Sequence, residues 1–441
     1  TKPFPKKFVD VASTDLISQI LVHCKPTVMS PTVVRSDSEA IIGIPGVSFA
    51  EGLRLNTSPG WPLCSIRPGS HKTSFIDTDP ERTYCKMDSL LESAVRQEEA
   101  KRIKGILPFS VYANFGKDER LKPGKEMRLI NGCPLPQTIL WRKYCMDFFC
   151  AFQSSGLDIG SAIGINPFGL GMQSMAQRLL EVGPNILTGD YKNFGPTLHA
   201  ECVEVLSHAM DAWYGKYCKR GFNPDASRVR RTLVDSLINS YQISGDLIYQ
   251  THQGAPSGNP YTAPINTFVG LLYLRIAWQI VFDGTPSAGM SVYHTKFRAI
   301  CYGDDFVGSI SPDLLPFFNN VTMSEAFAKY GLIFTNPDKN NELSMSCSIT
   351  EASFLKSTFA KHHSRDIYVA HLDLSVIYDI PNWCRLPVPD MMAYLLDVSD
   401  QVLRFLTLYG PDVYNENASK LAAWFAERDI HFPINDWAVM D

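Results

Sequence analysis

The spacing of apolar and polar residues changes at about position 183 of the chain. Before it, Pro and Gly interrupt the pattern often, and apolar residues recur at helical spacing only over 14–24, 88–104 and 137–152. After it, short apolar runs of strand length alternate with longer stretches of helical periodicity. The pattern therefore predicts an irregular first part of helices and loops, an α+β middle and a helical end.

The second part begins with the apolar run "PNILTGD" (184–190), which predicts a strand ending in an acid. Two more strands, 297–302 and 306–310, meet at "GDD" and predict a hairpin. The most apolar segment, 267–282, is short for a membrane span and contains Arg275, so it predicts a buried helix. Further helices are predicted at 196–217, 224–241, 314–330, 389–409 and 412–428, and further strands at 246–252, 332–335 and after residue 351.

Composition and charge narrow the class of protein only a little. The chain has 441 residues, of which 45% are hydrophobic, enough for a large core in two or three domains. The net charge of -4 does not indicate a nucleic-acid-binding protein, but basic residues cluster at 101–128 and 228–231. The 11 cysteines include no C-x-x-C pair, which argues against a zinc site or a disulfide framework and favours reduced thiols in the cytosol.

Two adjacent acids, Asp304 and Asp305, form the turn of the predicted hairpin. Two ionised carboxylates about 5 Å apart at an effective dielectric of about 20 repel by roughly 3 kcal/mol, so a cation is expected beside them. Asp190, at the end of an earlier apolar run, is the expected partner. Acids at two strand ends can hold two divalent ions for phosphoryl transfer, and oxygen ligands favour Mg²⁺, with Mn²⁺ as the alternative. On spacing alone, two unrelated turns explain these acids equally well.

Three short motifs follow one another around these acids. They are "DY" at 190–191, "PSG" at 256–258 followed by Thr262 and Asn266, and "YGDD" at 302–305. This set resembles motifs A, B and C of viral RNA-dependent RNA polymerases of the picornavirus-like group. The stretch "DYKNFGP" is most similar to the insect-infecting members, iflaviruses and dicistroviruses. Similar motifs run from about residue 57 to 359, which is most of the chain.

The resemblance implies an α+β right-hand polymerase fold with fingers, a palm of antiparallel sheet and helices, and a small helical thumb. It also implies an RNA-directed RNA polymerase that replicates a positive-strand RNA genome by two-metal nucleotidyl transfer. Trp383 and Arg385 would precede the two thumb helices. The expected domains are fingers at 1–182, palm at 183–222, a fingers insertion at 223–253, the rest of the palm at 254–362 and the thumb at 363–441.

Asp190, Asp304 and Asp305 are the expected catalytic and metal-binding acids, with the carbonyl of Tyr191 as a further ligand. Successive residues of an extended segment point in different directions. We therefore expect Asp190 and Asp304 to form the indispensable pair and Asp305 to have a weaker role. The resemblance implies that Lys339 is the general acid that protonates the leaving pyrophosphate.

The incoming nucleotide is expected to contact two segments. Thr262 and Asn266 lie four residues apart on one helix face, where a hydroxyl and an amide suit a ribose 2′-OH. The stretch "KDERLKPGKEMRLI" (117–130) resembles motif F, whose basic side chains neutralise the triphosphate. The expected nucleotide-binding set is Lys117, Lys125, Arg128, Ser257, Gly258, Thr262 and Asn266.

RNA is expected to contact two further motifs. "TSPGWP" (57–62) resembles motif G, which guides the template, and "FLKSTF" (354–359) resembles motif E, the primer grip. The expected RNA-binding set is Thr57, Ser58, Gly60, Lys122 and Lys356. The chain departs from the picornaviral pattern at Gly195, which stands where motif A has a second aspartate. A glycine offers only backbone groups, so ribose selection is expected to depend on Asn266 and Thr262.

Two other functions remain open. A reverse transcriptase shares the palm acids, but Gly303, Asn266 and the lack of a recognisable ribonuclease H segment argue against it. A catalytically silent RNA-binding protein on a polymerase scaffold is the other alternative. Against that second alternative, the chain keeps Asp190, Asp304, Lys339 and Arg128.

The resemblance implies several partners. These are an RNA template and primer, ribonucleoside triphosphates, a small viral protein primer linked through tyrosine, and other viral replication proteins. The chain starts without Met, as expected of a polyprotein product or of a trimmed chain. It shows no anchor of its own, so we expect it in the host cytoplasm, recruited to membrane-associated replication complexes.

Overall fold

The computed structural model describes residues 1–119, 124, 126–219, 221–337, 342–384 and 387–440. Its helices are α1 Lys6–His23, α2 Asp37–Ile42, α3 Leu63–Ile66, α4 Ser89–Ile103, α5 Leu135–Ser154, α6 Gly171–Leu180, α7 Phe194–Thr197, α8 Ala200–Tyr217, α9 Pro224–Ile238, α10 Thr262–Val281, α11 Met290–Lys296, α12 Asn320–Ala328, α13 Leu374–Asp379, α14 Met391–Thr407, α15 Pro411–Ala426 and α16 Trp437–Met440. Its strands are β1 Ile76–Thr78, β2 Cys85–Met87, β3 Val111–Gly116, β4 Leu129–Gly132, β5 Asn185–Tyr191, β6 Tyr241–Ser244, β7 Leu247–Gln250, β8 Phe297–Tyr302, β9 Asp305–Ile310, β10 Phe334–Thr335, β11 Ser353–Phe354, β12 Ser357–Lys361 and β13 Tyr368–Leu372.

An antiparallel sheet in the order β10-β5-β9-β8 lies at the centre of the second part of the chain. The β8–β9 hairpin is the one that the apolar runs around "GDD" predict, and β5 is the predicted strand that ends in an acid. A second sheet, β4-β3-β6-β7, joins strands from both parts of the chain, and β3 pairs with β6 in parallel. A third sheet, β11-β12-β13, follows it.

Helix α10 is buried along almost its whole length, which confirms the prediction of a buried helix at 267–282. It packs against α1, α8, α12 and β8 in the main hydrophobic core. The charge within this apolar segment is neutralised, because the Arg275 Nε donates to an Asp15 carboxylate oxygen of α1 at 2.8 Å. Among the described residues, none of the helices combines the length and the apolar character that a membrane span requires.

The first part of the chain is less irregular than its apolar pattern predicts. The pattern does not indicate β3 and β4, which pair with each other, and β3 also pairs with β6, more than 100 residues later in the chain. The helix predicted at 224–241 ends at Ile238, since the residues after it join that sheet. The helix predicted at 314–330 begins only at Asn320, where the Asn319 side chain accepts hydrogen bonds from two backbone N–H groups.

The C-terminal helices α14 and α15 form their own hydrophobic cluster with α13. Its buried members are Ile377, Val402, Leu403, Leu406, Tyr414, Ala418, Phe425 and Phe432. This cluster is separate from the main core, which extends from Phe4 to Phe334. The last part of the chain is therefore a helical unit with a small core of its own.

Candidate active site

The turn of the β8–β9 hairpin carries the two adjacent acids. Tyr302 pairs with Asp305, so Gly303 and Asp304 form a two-residue loop. Gly303 has a φ of +62°, a conformation that favours glycine because it has no Cβ. Its N–H donates to the hydroxyl of Thr267 at 2.8 Å. Helix α10 therefore holds the acid turn from behind, and Thr267 is a supporting residue that no sequence motif indicates.

Asp190 reaches the same place from strand β5. In the antiparallel pairing of β5 with β9, Gly189 lies opposite Phe306, so the same register places Asp190 opposite Asp305. Burial, followed by the charges of Asp304 and Asp190, raises the pKa of Asp305 to about 6. The structure thus brings together three acids that are up to 115 positions apart in sequence, as the motifs predict.

The donor set at this place suits a hard divalent cation. Asp190, Asp304 and Asp305 offer carboxylate oxygens, the ligand type that Mg²⁺ and Mn²⁺ prefer. Within the described ranges, no group of three or more His, Cys, Asp and Glu side chains is close enough to enclose an ion alone. A Mg²⁺ site commonly uses one or two carboxylates and takes its other ligands from water and substrate phosphates. The acids therefore fit ions that bind together with a substrate.

Tyr191 follows Asp190 and anchors the end of β5. Its ring is buried among Phe194, Phe327 and Phe334, and burial raises the pKa of its hydroxyl well above the usual value. A buried phenol that does not ionise cannot serve as an anionic ligand. Any contact of Tyr191 with an ion therefore depends on its backbone carbonyl, the atom that the sequence predicts.

The β11–β12 hairpin brings a cation near the acids. Phe354 pairs with Ser357, so Leu355 and Lys356 form its two-residue turn, with φ angles of +53° and +61°. Such angles cost residues with a Cβ roughly 1–3 kcal/mol each and tend to occur at functional sites. The charge of Lys356 lowers the pKa of Asp305, opposing the effect of burial and of the other acids. The predicted primer-grip lysine therefore lies within electrostatic range of the acids.

The loop before α10 is joined to strand β4. The Asn131 N–H donates to Ser257 Oγ at 3.1 Å, and the Ser257 N–H donates to Asn131 Oδ1 at 3.0 Å. A Cβ on Gly258 would lie 2.0 Å from the Asn131 carbonyl oxygen, so only glycine fits there. Ser257 and Gly258 thus contact strand β4 directly in this structure. Their partner Asn131 lies one residue beyond the predicted basic motif and shows no signal in the sequence.

Thr262 and Asn266 differ in what their polar atoms do. The Thr262 hydroxyl donates to the carbonyls of Ser257 at 3.0 Å and Asn259 at 2.9 Å, which closes its own loop. The Oδ1 of Asn266 is buried and has no hydrogen-bond partner in the described part of the chain. A buried acceptor without a partner costs about 1–3 kcal/mol. The Asn266 Oδ1 therefore has unused hydrogen-bonding capacity, whereas the Thr262 hydroxyl forms structural bonds.

Gly195, where the picornaviral pattern has an acid, takes part through its backbone. Its carbonyl accepts the Ala255 N–H at 3.0 Å, and the Gly254 N–H donates to the Leu198 carbonyl at 2.9 Å. Gly254 has a φ of +86°, and a Cβ there would lie 2.9 Å from the Gly195 carbonyl oxygen. A Cβ on Gly195 itself would meet only the Ala255 oxygen, at 3.6 Å. The two loops are therefore joined by backbone bonds, and Gly195 leaves room for a side chain.

The basic hairpin β3–β4 carries Lys117 and Arg128, and a carboxylate links them. The Arg128 Nε donates to Glu119 Oε1 at 2.6 Å, and Lys117 Nζ lies 3.2 Å from Glu119 Oε2. Arg128, followed by Lys117, lowers the pKa of Glu119 to about 2. Glu119 and, more weakly, Asp304 raise the pKa of Arg128. Glu119 therefore forms ion pairs with two of the cations that are expected to bind a triphosphate. The basic motif does not indicate this role for Glu119.

The predicted template motif lies beside the start of α5. Thr57 donates to the Arg54 carbonyl at 2.9 Å and accepts a hydrogen bond from Lys72. The Gly60 N–H donates to Ser58 Oγ at 3.2 Å, and a Cβ on Gly60 would lie 2.7 Å from the Cys133 carbonyl oxygen. The motif is therefore held close to the end of β4. Four other predicted residues lie outside the described residues: Lys122, Lys125, Lys339 and Arg385.

Comparisons with known proteins agree with this geometry. A profile of the viral RNA-dependent RNA polymerase family matches residues 24–426. The chain is 28% identical to the genome polyprotein of Deformed wing virus over 451 aligned residues, covering 100% of this chain and 15% of the polyprotein. It is 31% identical to the genome polyprotein of Ectropis obliqua picorna-like virus, covering 98% of this chain and 14% of the polyprotein. The chain thus spans only about one seventh of these relatives.

A solved structure is similar over the whole chain. It is the Sicinivirus 3Dpol RNA-dependent RNA polymerase, with a TM-score of 0.77 and 20% identity, covering 100% of this chain and 84% of that one. A similarity of this extent at low identity shows a shared fold. It confirms the α+β right-hand architecture predicted from the motifs.

Proposed function

The chain belongs to the viral RNA-dependent RNA polymerase family, and from this premise we propose that it copies a positive-strand RNA genome by template-directed nucleotidyl transfer. One observation supports the chemistry above all. Asp190 and the Asp304–Asp305 turn meet at one end of the palm sheet, and the pKa of Asp305 is raised to about 6 by burial and by these neighbouring acids. Such crowding is stable at neutral pH only if cations offset it.

The acids would hold two divalent ions, Mg²⁺ or alternatively Mn²⁺, with Asp190 and Asp304 as the main ligands. Asp305 and the Tyr191 carbonyl would complete the ligand set. Bound there, the ions would lower the pKa of the primer 3′-hydroxyl and neutralise the leaving pyrophosphate. Thr267 keeps the turn in place through its bond to the Gly303 N–H.

Lys117 and Arg128 would bind the triphosphate of the incoming nucleotide, with Lys125 beside them. For this, Glu119 has to release the Arg128 guanidinium, because a carboxylate and a phosphate compete for the same donors. Lys339 is proposed as the acid that protonates the pyrophosphate. The buried, unpartnered Oδ1 of Asn266 supports a hydrogen bond from the ribose 2′-OH.

RNA would lie across the palm. Thr57, Ser58 and Gly60 would guide the template, Lys122 would contact its backbone, and Lys356 would meet a primer phosphate. The position of Lys356 within electrostatic range of Asp305 supports its place at the primer end. Phosphate contacts of this kind orient the strand without reading its sequence.

We assign the fingers to 1–182 and 223–253, the palm to 183–222 and 254–362, and the thumb to 363–441. The separate core of the C-terminal helices supports the thumb assignment. The polyprotein relatives support the presence of other viral proteins as partners. We also propose that synthesis starts from a small protein primer linked through tyrosine. The polymerase would act in the host cytoplasm, in membrane-associated replication complexes.

Primer extension on an RNA template tests the proposal. The parent protein should extend the primer with ribonucleotides and Mg²⁺, and Asp304→Asn should not. Deoxynucleotides on the same template distinguish a reverse transcriptase, which would prefer them. A parent that binds RNA but extends nothing under either condition would be the silent RNA-binding protein, and the proposed chemistry would be wrong.

A further inference from the structure

A cavity of about 370 Å³ lies beside the start of β8, between α1, α6, α10 and α11. It is separate from the candidate active site, because none of Asp190, Asp304 and Asp305 lines it. Its wall is rich in basic side chains, and these are His23, Arg178, Arg275, His294 and Arg298. The proposed polymerase chemistry uses none of them.

Two of these side chains already have a counter-ion. The Arg275 Nε donates to Asp15 at 2.8 Å, and His294 Nε2 lies 2.8 Å from the other oxygen of the same carboxylate. Asp15 is in turn held with a lowered pKa, because the hydrogen bonds and charges of His294 and Arg275 outweigh its burial. This part of the wall is a structural ion-pair network.

Among the described residues, Arg178 and Arg298 have no carboxylate partner within ion-pair distance. The Arg178 Nη2 donates only to the Asp158 carbonyl, at 3.4 Å, and Arg298 Nη1 donates to the carbonyls of His294 and, at 3.3 Å, Phe297. Throughout the described ranges, neither guanidinium forms an ion pair. Burial and the charge of Arg298 lower the pKa of Arg178. The charges of Asp158 and Glu181, which lie beyond ion-pair distance, oppose this effect.

Two partly buried cations that repel each other are unfavourable unless an anion lies between them. Burying a charge away from a counter-ion is unfavourable, and a nearby like charge adds to that cost. A guanidinium presents a planar set of donors that matches the oxygens of a phosphate. The other polar residues of the lining are Gln19, Tyr293 and Asp158. Asp158 is the one carboxylate among the lining residues, against five basic side chains.

We propose that this cavity binds a small molecule through a terminal phosphate dianion held between Arg178 and Arg298. The volume suits a small ligand such as inorganic phosphate, pyrophosphate or a mononucleotide rather than a nucleic-acid strand. The inference is independent of the proposed polymerase reaction, because it rests on this cavity alone.

The cavity is also connected to the acid turn. Gly160, which lines it, accepts the Cys301 N–H at 2.9 Å, and the Ala162 N–H donates to the Cys301 carbonyl at 2.9 Å. Cys301 lies near the end of β8, two residues before Gly303 of the acid turn. An anion that joins α6 to β8 would therefore stiffen the strand that supports the acid turn.

Binding of pyrophosphate, measured by calorimetry and by thermal unfolding without divalent ions, tests the proposal. The parent should bind pyrophosphate and unfold at a higher temperature as its concentration rises. Arg178→Gln and Arg298→Gln should each weaken that binding at least tenfold. Arg404→Gln is the matched control, because Arg404 is exposed and already paired with Asp400. The series is repeated in an Arg128→Gln background, which weakens binding at the basic hairpin.

A second readout separates a ligand site from a structural role. Without added anion, Arg178→Gln should unfold at the same temperature as the parent or higher, since it removes a repulsion and breaks no ion pair. The proposal is overturned if the glutamine variants bind pyrophosphate as the parent does, or if Arg178→Gln alone lowers the unfolding temperature well below that of Arg404→Gln. Parallel titrations with inorganic phosphate and with ATP show which source of the phosphate group the cavity prefers.

Discussion

At the scale of single residues, the three acids are not equivalent. Asp304 is exposed in the two-residue loop, whereas Asp305 is half-buried at the start of β9 and lies opposite Asp190. The raised pKa of Asp305 means that its charge is the more costly to keep in the folded protein. Asp304 lies on the exposed side of the turn, where an ion that arrives with a substrate can reach it.

We therefore expect Asp304→Asn to reduce the rate of nucleotide addition by a hundredfold or more, and Asp305→Asn to reduce it less. The physical reason is that Asp304 supplies a main ligand, whereas Asp305 supports the ligand set. Single-turnover extension with a preformed primer–template measures both rates. Asp246→Asn, in the exposed β6–β7 turn, serves as a control that should leave the rate unchanged. A slower Asp305→Asn than Asp304→Asn would reverse the assignment.

Asn266→Ala is expected to lower the preference for ribonucleotides over deoxynucleotides by about tenfold. The reason is that its buried Oδ1 is the unpartnered acceptor near the proposed ribose site, and no side chain at Gly195 can replace it. The ratio of kcat/KM for a ribo- and a deoxynucleotide checks this. Thr262→Val, which loses only a loop-closing bond, should slow both substrates alike. Equal ratios in Asn266→Ala and the parent would contradict the assignment.

At the scale of elements, the active site depends on contacts between strands and loops rather than on any one helix. The loop before α10 touches β4 through Ser257 and Gly258, and α10 itself holds the acid turn through Thr267. The close approach of Gly258 to Asn131 leaves no space for a methyl group. The elements that we assign to fingers and palm are thus joined at the proposed nucleotide site.

Gly258→Ala is expected to destabilise the protein by about 2–4 kcal/mol and to abolish extension, because the new Cβ would overlap the Asn131 carbonyl. Gly215→Ala is the matched control. Gly215 lies within α8, where a Cβ meets nothing within 4 Å, so alanine should stabilise the protein by about 0.5–1 kcal/mol. Denaturant unfolding measures both changes. A Gly258→Ala protein as stable and active as the parent would show that the loop and β4 separate readily.

At the scale of the whole molecule, folding buries Asp305 and also brings acids from two distant segments together, and both effects make its charge costly. The pKa of Asp305 rises from 3.8 to about 6 on folding. Between these values the folded protein holds a proton that the unfolded chain has released. Stability therefore falls as the pH rises through this window, and a bound cation should restore it.

Mg²⁺ should accordingly raise the unfolding temperature more at pH 7.5 than at pH 5, since Asp305 is ionised only at the higher pH. Thermal unfolding with and without Mg²⁺ at both values checks this. Asp305→Asn should remove most of the difference between the two pH values, and Asp246→Asn should retain it. An equal effect of Mg²⁺ at both values in the parent would mean that this group does not control cation binding.

Local sequence patterns are enough to predict which residues carry the chemistry and in which order the motifs occur. The acids, the strand ends that carry them and the buried helix at 267–282 all follow from patterns within a few neighbouring residues. The contacts that support the candidate site could not be predicted in this way, because they join residues that are far apart in the chain. The hydrogen bonds of Asn131 with Ser257 and of Gly303 with Thr267 form only in the folded protein. The same is true of the ion pair between Glu119 and Arg128. Arg178 and Arg298 likewise line one cavity only in the folded molecule, since 120 positions separate them and no local pattern links them.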